Sequence, residues 1–196
     1  MMRGLIILAA GSSSRLGKPK QNLIFQGSTL LQRSIKAALN ADCDEVIVIL
    51  GANREIIKPT LNDKNIRIID NADWQEGMAS SIRHGLNYLL KINPRLQSVI
   101  LMLCDQPFAD VSIINQLIKA SATGKSIVAS AYNGTVGPPA LFDKTHFDEL
   151  LALQGNEGAK KLLLKYADDV YQVPFPLGTI DIDTIGDFER LEVGGS

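Results

Sequence analysis

The stretch Leu5-Ile6-Ile7-Leu8-Ala9-Ala10-Gly11-Ser12-Ser13-Ser14-Arg15-Leu16-Gly17-Lys18-Pro19-Lys20-Gln21 holds the change of pattern on which the fold turns. Leu5 to Ala10 is an unbroken apolar run. It is far shorter than the roughly 18 residues of a membrane span, and shorter than the apolar core of a secretory leader, so it is expected as a buried strand. Glycine and serine follow at once. Such a loop lets backbone N–H groups approach and surround phosphate oxygens. Arg15 can fork two oxygens, and Lys18 or Lys20 adds a point charge. The loop is not a Walker A element, because five residues separate Gly11 from Gly17 and Pro19 follows Lys18. It does not fit GxGxxG either.

Outward from this loop, apolar runs alternate with helical stripes. Val46–Leu50, Ile66–Ile69, Val99–Cys104, Ile127–Ala131 and Ala140–Phe142 read as strands, the last two separated by the turn-rich Asn133–Pro139. Val170–Val173 and Thr179–Ile182 are expected as further strands. Helices are expected over Leu30–Leu39, Arg54–Leu61 (weakened by Pro59), around Ile82–Leu90, Val111–Ile118, Phe147–Leu153 and Ala159–Tyr166, and over a final stripe of Ile185, Phe188 and Leu191. The pattern predicts one α/β domain over residues 1–193, its mostly parallel sheet covered on both faces, with 194–196 as a flexible tail. Ligands of such sheets bind beyond the carboxyl ends of the strands, here the loops after Ala10, Ile69, Cys104 and Ile182.

Composition excludes several classes. Lys+Arg total 20 and Asp+Glu 21 in 196 residues, a formal net charge of −1, which argues against binding nucleic acid or an anionic membrane through bulk charge. An anionic ligand therefore needs a local cluster. Cys43 and Cys104 have no CxxC spacing and no neighbouring histidine, so they are expected as reduced core thiols of a cytoplasmic protein. His84 and His146 are expected at the surface or at helix ends, outside catalysis.

Asp105 ends an apolar strand before Gln106-Pro107, where a carboxylate can hold Mg²⁺ or cap a turn. Asp181 and Asp183 would share one face of a strand, and either suits a second metal ligand, while Asp183-Thr184 also suits a helix cap. Gly77-Met78-Ala79-Ser80-Ser81 opens a helix, where a serine can meet a ligand or cap the helix. Gly137-Pro138-Pro139-Ala140 and Gly155-Asn156-Glu157-Gly158-Ala159-Lys160-Lys161 are glycine-punctuated turns.

Leu8-Ala9-Ala10-Gly11 through Arg15-Leu16-Gly17 to Lys20, with Cys104-Asp105-Gln106-Pro107, resembles the nucleotidyltransferase superfamily. The later segments, in order Gly77–Ser81, Gly137–Phe142, Gly155–Lys160 and Asp181–Thr184, are similar to its molybdenum cofactor cytidylyltransferase branch. The resemblance implies a Rossmann-like, three-layer domain with a mixed sheet of about seven strands. It implies transfer of CMP from CTP to a phosphorylated acceptor, molybdopterin or its metal-bound form, with release of pyrophosphate and Mg²⁺ as cofactor. Gly11, Arg15 and Lys20 would bind the phosphates, Arg15, Lys20 and Asp105 acting in catalysis. Leu8, Ala9, Ala10, Gly77 and Ser81 would complete the nucleotide site, Ala10 standing where guanine-selective relatives tend to carry glycine. Asp105 and Asp183 would share the metal, and Gly137, Pro138, Gly155 and Asn156 would shape the acceptor side. Asn156 stands where many relatives carry Asp, and Leu16 where Met is usual. The resemblance also leaves room for a GTP-selective form, a sugar- or polyol-phosphate acceptor, a non-catalytic nucleotide-binding delivery partner, and transient contact with a molybdoenzyme or its maturation factor.

Overall fold

The computed structural model describes residues 1–61 and 66–194, with the backbone alone for Arg15 and for 192–194. In chain order its elements are β1 (Arg3–Ala9), the short strands β2 (Ile24–Phe25) and β3 (Ser28–Thr29), α1 (Leu30–Leu39), β4 (Glu45–Leu50), α2 (Arg54–Ile57), β5 (Arg67–Asp70), α3 (Met78–Ile92), β6 (Ser98–Leu103), α4 (Val111–Ala120), β7 (Ile127–Tyr132), β8 (Thr135–Asp143), α5 (Phe147–Leu151), α6 (Lys160–Lys165), β9 (Val170–Pro174) and α7 (Ile185–Gly194).

The main sheet has seven strands in the order β5-β4-β1-β6-β8-β7-β9. β8 runs against its neighbours β6 and β7, while the other pairings are parallel. β1 is flanked on both sides, which explains its unbroken apolar run: Leu5, Ile6 and Ile7 are all fully buried. Its residues alternate between two cores. Leu5, Ile7 and Ala9 pack with α1, α2 and α4; Ile6, Leu8 and Ala10 pack with α3, α5 and α6. This is the three-layer α/β architecture expected. Among the described residues no helix is long and apolar enough to cross a membrane.

Several expectations need correction. Thr179–Ile182 is not a strand: Pro176–Thr179 is a 3-10 turn, and among the described residues the positions that follow are paired with no strand. Its apolar alternation serves a third, smaller core, in which Ile182 packs with Leu16, Leu23, Phe25, Leu30 and Leu191. Asn133–Pro139 is mostly strand, since β8 starts at Thr135 and only Asn133-Gly134 turns, both at positive φ. The helix at Arg54 lasts four residues and ends in a 3-10 turn that contains Pro59. α7 runs through Gly194, one residue into the expected tail, and 195–196 lie outside the described residues. His146 stands at a helix end, as expected, as the N-cap of α5, but it is buried there, packed against Phe142 and Tyr166.

Candidate functional site

β1 and β6 are parallel neighbours, so the loops after Ala10 and Cys104 emerge side by side. A cleft of about 400 Å³ opens there, lined by Leu8, Ala9, Ala10, Gly11, Lys20, Gly77, Ser81 and Asp105 among others. The expected nucleotide residues with described side chains thus face one cavity. Arg15 lies in the 3-10 turn Ser14–Leu16 of the same loop.

The loop is shaped by residues the sequence reading passed over. Gln21 is 1% exposed, and its side-chain amide donates to the carbonyls of Ala9 (2.8 Å) and Gly11 (3.2 Å). The Lys20 N–H donates to Ser13 Oγ at 3.1 Å, with Ser13 at φ 54°. Together they fold the loop back onto the end of β1 and bring Lys20 over β6. A glutamine in a polar loop gives no periodic signal, so nothing local marked it as buried. At Gly11 an added Cβ would meet nothing within 4 Å. The fold itself does not demand glycine there.

Lys20 Nζ stands between two carboxylates, 2.6 Å from Asp105 Oδ2 and 3.0 Å from Asp183 Oδ1. Burial pulls the Lys20 pKa down, but the charge and hydrogen bonds of Asp105 and Asp183 outweigh it and the net shift is upward. The 78 positions between the two aspartates (183 − 105) are closed by a backbone bond: the Ile182 N–H donates to the Asp105 carbonyl at 3.0 Å. Thr184 and Asp187 form the reciprocal cap of α7, with Thr184 N–H to Asp187 Oδ2 at 2.7 Å and Asp187 N–H to Thr184 Oγ1 at 3.2 Å. Capping therefore falls to Thr184, and the Asp183 carboxylate faces Lys20. Asp181 lines other cavities; burial raises its pKa, and repulsion from Asp105 and Asp183 adds to the rise. Burial likewise pushes the neighbouring Cys104 thiol up to about 12, leaving it inert.

At the mouth of α3, Asn71 is 1% exposed and donates to Ser80 Oγ (2.8 Å) and Ser81 Oγ (3.0 Å). Gly77 has φ 123°, and a Cβ on it would overlap the Gly155 carbonyl and lie 2.6 Å from Asn156 Oδ1. Gly155 and Asn156 thus sit against the nucleotide-side cleft, which Asn156 helps to line. Pro138 instead lines a second cavity of about 260 Å³ on the other side of Asp105, with Gln106, Tyr132 and Asp181. Gly137 makes room for the Tyr132 hydroxyl. The structure therefore separates the four residues expected on the acceptor side into two pairs.

A Ser–His–Asp grouping lies at the opposite, amino-terminal edge of the sheet. Ser126 Oγ contacts His146 Nε2 at 2.6 Å and donates to Asp169. The serine, not the histidine, is the middle member: its proton goes to Asp169 and no carboxylate orients the imidazole, so this part-buried polar clasp lacks the order of a catalytic triad.

A family model described as the MobA-like NTP transferase domain matches residues 5–170. The nicotine blue oxidoreductase of Paenarthrobacter nicotinovorans is 33% identical over 137 residues, 69% of this chain and 65% of that protein. The molybdenum cofactor cytidylyltransferase of Escherichia coli (strain K12) is 30% identical over 188 residues, 93% of this chain and 92% of that protein. Among solved structures, Rv0371C of Mycobacterium tuberculosis H37Rv, in complex with manganese, superposes with a TM-score of 0.81 at 27% identity, covering 97% of this chain and 98% of that one.

Proposed function

The chain belongs to the MobA-like NTP transferase family and is a nucleotidyltransferase; within that family we propose that it moves CMP from CTP to a phosphorylated acceptor of the molybdopterin class. The observation that carries this reading is the meeting of Lys20 with Asp105 and Asp183 where two cavities share Asp105 in their walls. Similarity to a cytidylyltransferase along 93% of the chain supports the choice of base and acceptor.

The reaction needs no protein base. A phosphate monoester is mostly ionised near neutral pH, its second pKa being about 6. Its oxygen attacks the α-phosphorus of CTP, a new P–O bond forms, the bond to the β-phosphate breaks, and pyrophosphate leaves with the electron pair. The protein's task is to align the two partners and to offset accumulating negative charge. In this reading the loop N–H groups after Ala10, Arg15 and Lys20 hold the triphosphate. Its oxygens offer the Lys20 ammonium a partner in place of the two carboxylates.

The carboxylates suit a divalent cation. Asp105 Oδ1 is buried and has no hydrogen-bond partner among the described residues, and the two aspartates already enclose a positive charge. Among the described residues no cluster of three or more His, Cys, Asp or Glu forms, so Mg²⁺ here would take further oxygens from phosphate and water. When bound by Asp105 and Asp183, it would neutralise phosphate charge and improve the leaving group. The test is pyrophosphate release from CTP, GTP, ATP and UTP, each with and without molybdopterin. Release that depends on CTP and molybdopterin together is expected, and release with another pair overturns the assignment.

A further inference from the structure

We propose that Asn71 is a positioning residue for base recognition: it fixes the Ser81 hydroxyl as a hydrogen-bond donor into the nucleotide cleft, so that the site takes a nucleobase presenting an acceptor atom there, such as the carbonyl oxygen or ring nitrogen of cytosine. This inference rests on the nucleotidyltransferase reading above and deepens it.

The bonds leave one consistent assignment of protons. The Asp73 N–H donates to Asn71 Oδ1 at 2.9 Å, which sets the orientation of the amide and turns its NH₂ toward α3. The two amide protons go to Ser80 Oγ and Ser81 Oγ, so both serines accept from Asn71. Each hydroxyl must then direct its own proton elsewhere. Ser80 gives its proton to the Gly77 carbonyl at 2.9 Å. Among the described residues no acceptor receives the Ser81 proton, yet Ser81 is only 4% exposed and lines the cleft beside Leu8, Ala9 and Ala10. A buried hydroxyl with one lone pair taken by Asn71 and its proton unclaimed favours a ligand that accepts; one that presents N–H there could use only the second lone pair and would leave the proton unsatisfied.

Asn71→Asp is the decisive variant. The carboxylate keeps the shape and can still accept from Asp73 N–H, but toward Ser81 it can only accept. The serine proton then turns to it, and the lone pairs face the cleft. Titration calorimetry with CTP and with pyrophosphate, both with Mg²⁺, separates base recognition from any general effect of the added charge. The expected result is a CTP affinity loss exceeding the pyrophosphate loss by about tenfold, a size ordinary for one misdirected buried hydrogen bond, with the excess vanishing when Ser81→Ala is also present. Asn71→Ala, which merely frees the hydroxyl, should show a smaller excess of about threefold that also vanishes without Ser81. An excess that is absent, or that persists in the Ser81→Ala background, overturns the proposal. The titrations are run on the wild type with CTP, UTP, GTP and ATP. A preference for another triphosphate overturns the cytidylyl reading alone, and the coupling is then read with that triphosphate. If none of the four binds, both fall.

Discussion

The two cavities that meet at Asp105 are built differently. On the nucleotide side the Gly/Ser loop after β1 and the start of α3 are held from behind by buried amides and close glycine contacts: Gln21 on Ala9 and Gly11, Asn71 on Ser80 and Ser81, Gly77 on Gly155. On the other side the walls come from the β7–β8 turn and the segment after β9, with one buried amide, Gln106, whose Nε2 donates to the Gly178 carbonyl at 3.2 Å while its Oε1 has no partner among the described residues. Backbone donors suit a group that every NTP shares, the triphosphate. Side chains on a turn can change without disturbing the sheet, which suits the partner that must be told apart from other phosphates.

The sharpest way to break this picture is at the shared residue. Asp105→Asn should lower turnover about a hundredfold or more, because it weakens stabilisation of developing charge, while Asn keeps the shape. Turnover compared with melting temperature decides it: near-normal activity at saturating Mg²⁺ removes Asp105 from the chemistry, and a parallel fall of activity and melting temperature makes it structural.

Two glycines sharpen the contrast between ligand space and protein packing. Gly77→Ala should destabilise by roughly 1–3 kcal/mol, since it combines positive φ with steric overlap at Gly155. Gly11→Ala should leave thermal stability nearly unchanged, because an added methyl there meets no atom within 4 Å, and should weaken CTP binding if the triphosphate takes the proposed place. Denaturant unfolding and CTP titration on the two variants should give opposite profiles; similar profiles would show that the open space at Gly11 is not the phosphate position.

A smaller effect is expected across the site. Burial raises the Tyr132 phenol pKa, and Asp181 and Asp105 add to it against the opposing Gln106 amide, so Tyr132 stays a neutral donor at working pH. Tyr132→Phe should raise the acceptor KM by about threefold to tenfold, the value of one neutral hydrogen bond, and leave the CTP KM unchanged. A shift in the CTP KM instead would merge the two cavities into one functional site.

The smallest effect is electrostatic. Burial, with repulsion from Asp105 and Asp183, raises the Asp181 pKa in the fold, so its charged form opposes folding at neutral pH. Asp181→Asn should therefore raise the melting temperature slightly at pH 7, and the gain should disappear as pH falls below the ordinary aspartate value of 3.8. Activity should survive, because Asp183 rather than Asp181 faces Lys20. A lost activity would exchange their roles.

Much of this was legible in the chain because it is local. The apolar run Leu5–Ala10, the Gly/Ser loop with its basic residues, and the carboxylate at the end of Val99–Cys104 are contiguous patterns, and a parallel α/β sheet places them at one edge by rule. Asp183 was also legible as a candidate, but its approach to Lys20 was not: it lies on a segment that, among the described residues, joins no strand and is pinned by Ile182, whose N–H bonds Asp105 and whose side chain fills the small core with Leu16 and Leu191. Which of Asp183 and Asp181 meets Lys20, the burial of Gln21 and His146, the division of Gly137-Pro138 from Gly155-Asn156, and the hold of Asn71 on Ser81 were decided only by the tertiary structure. Each depends on where a polar atom distant in sequence finds its partner once water is excluded, and residue type and spacing carry no record of that pairing.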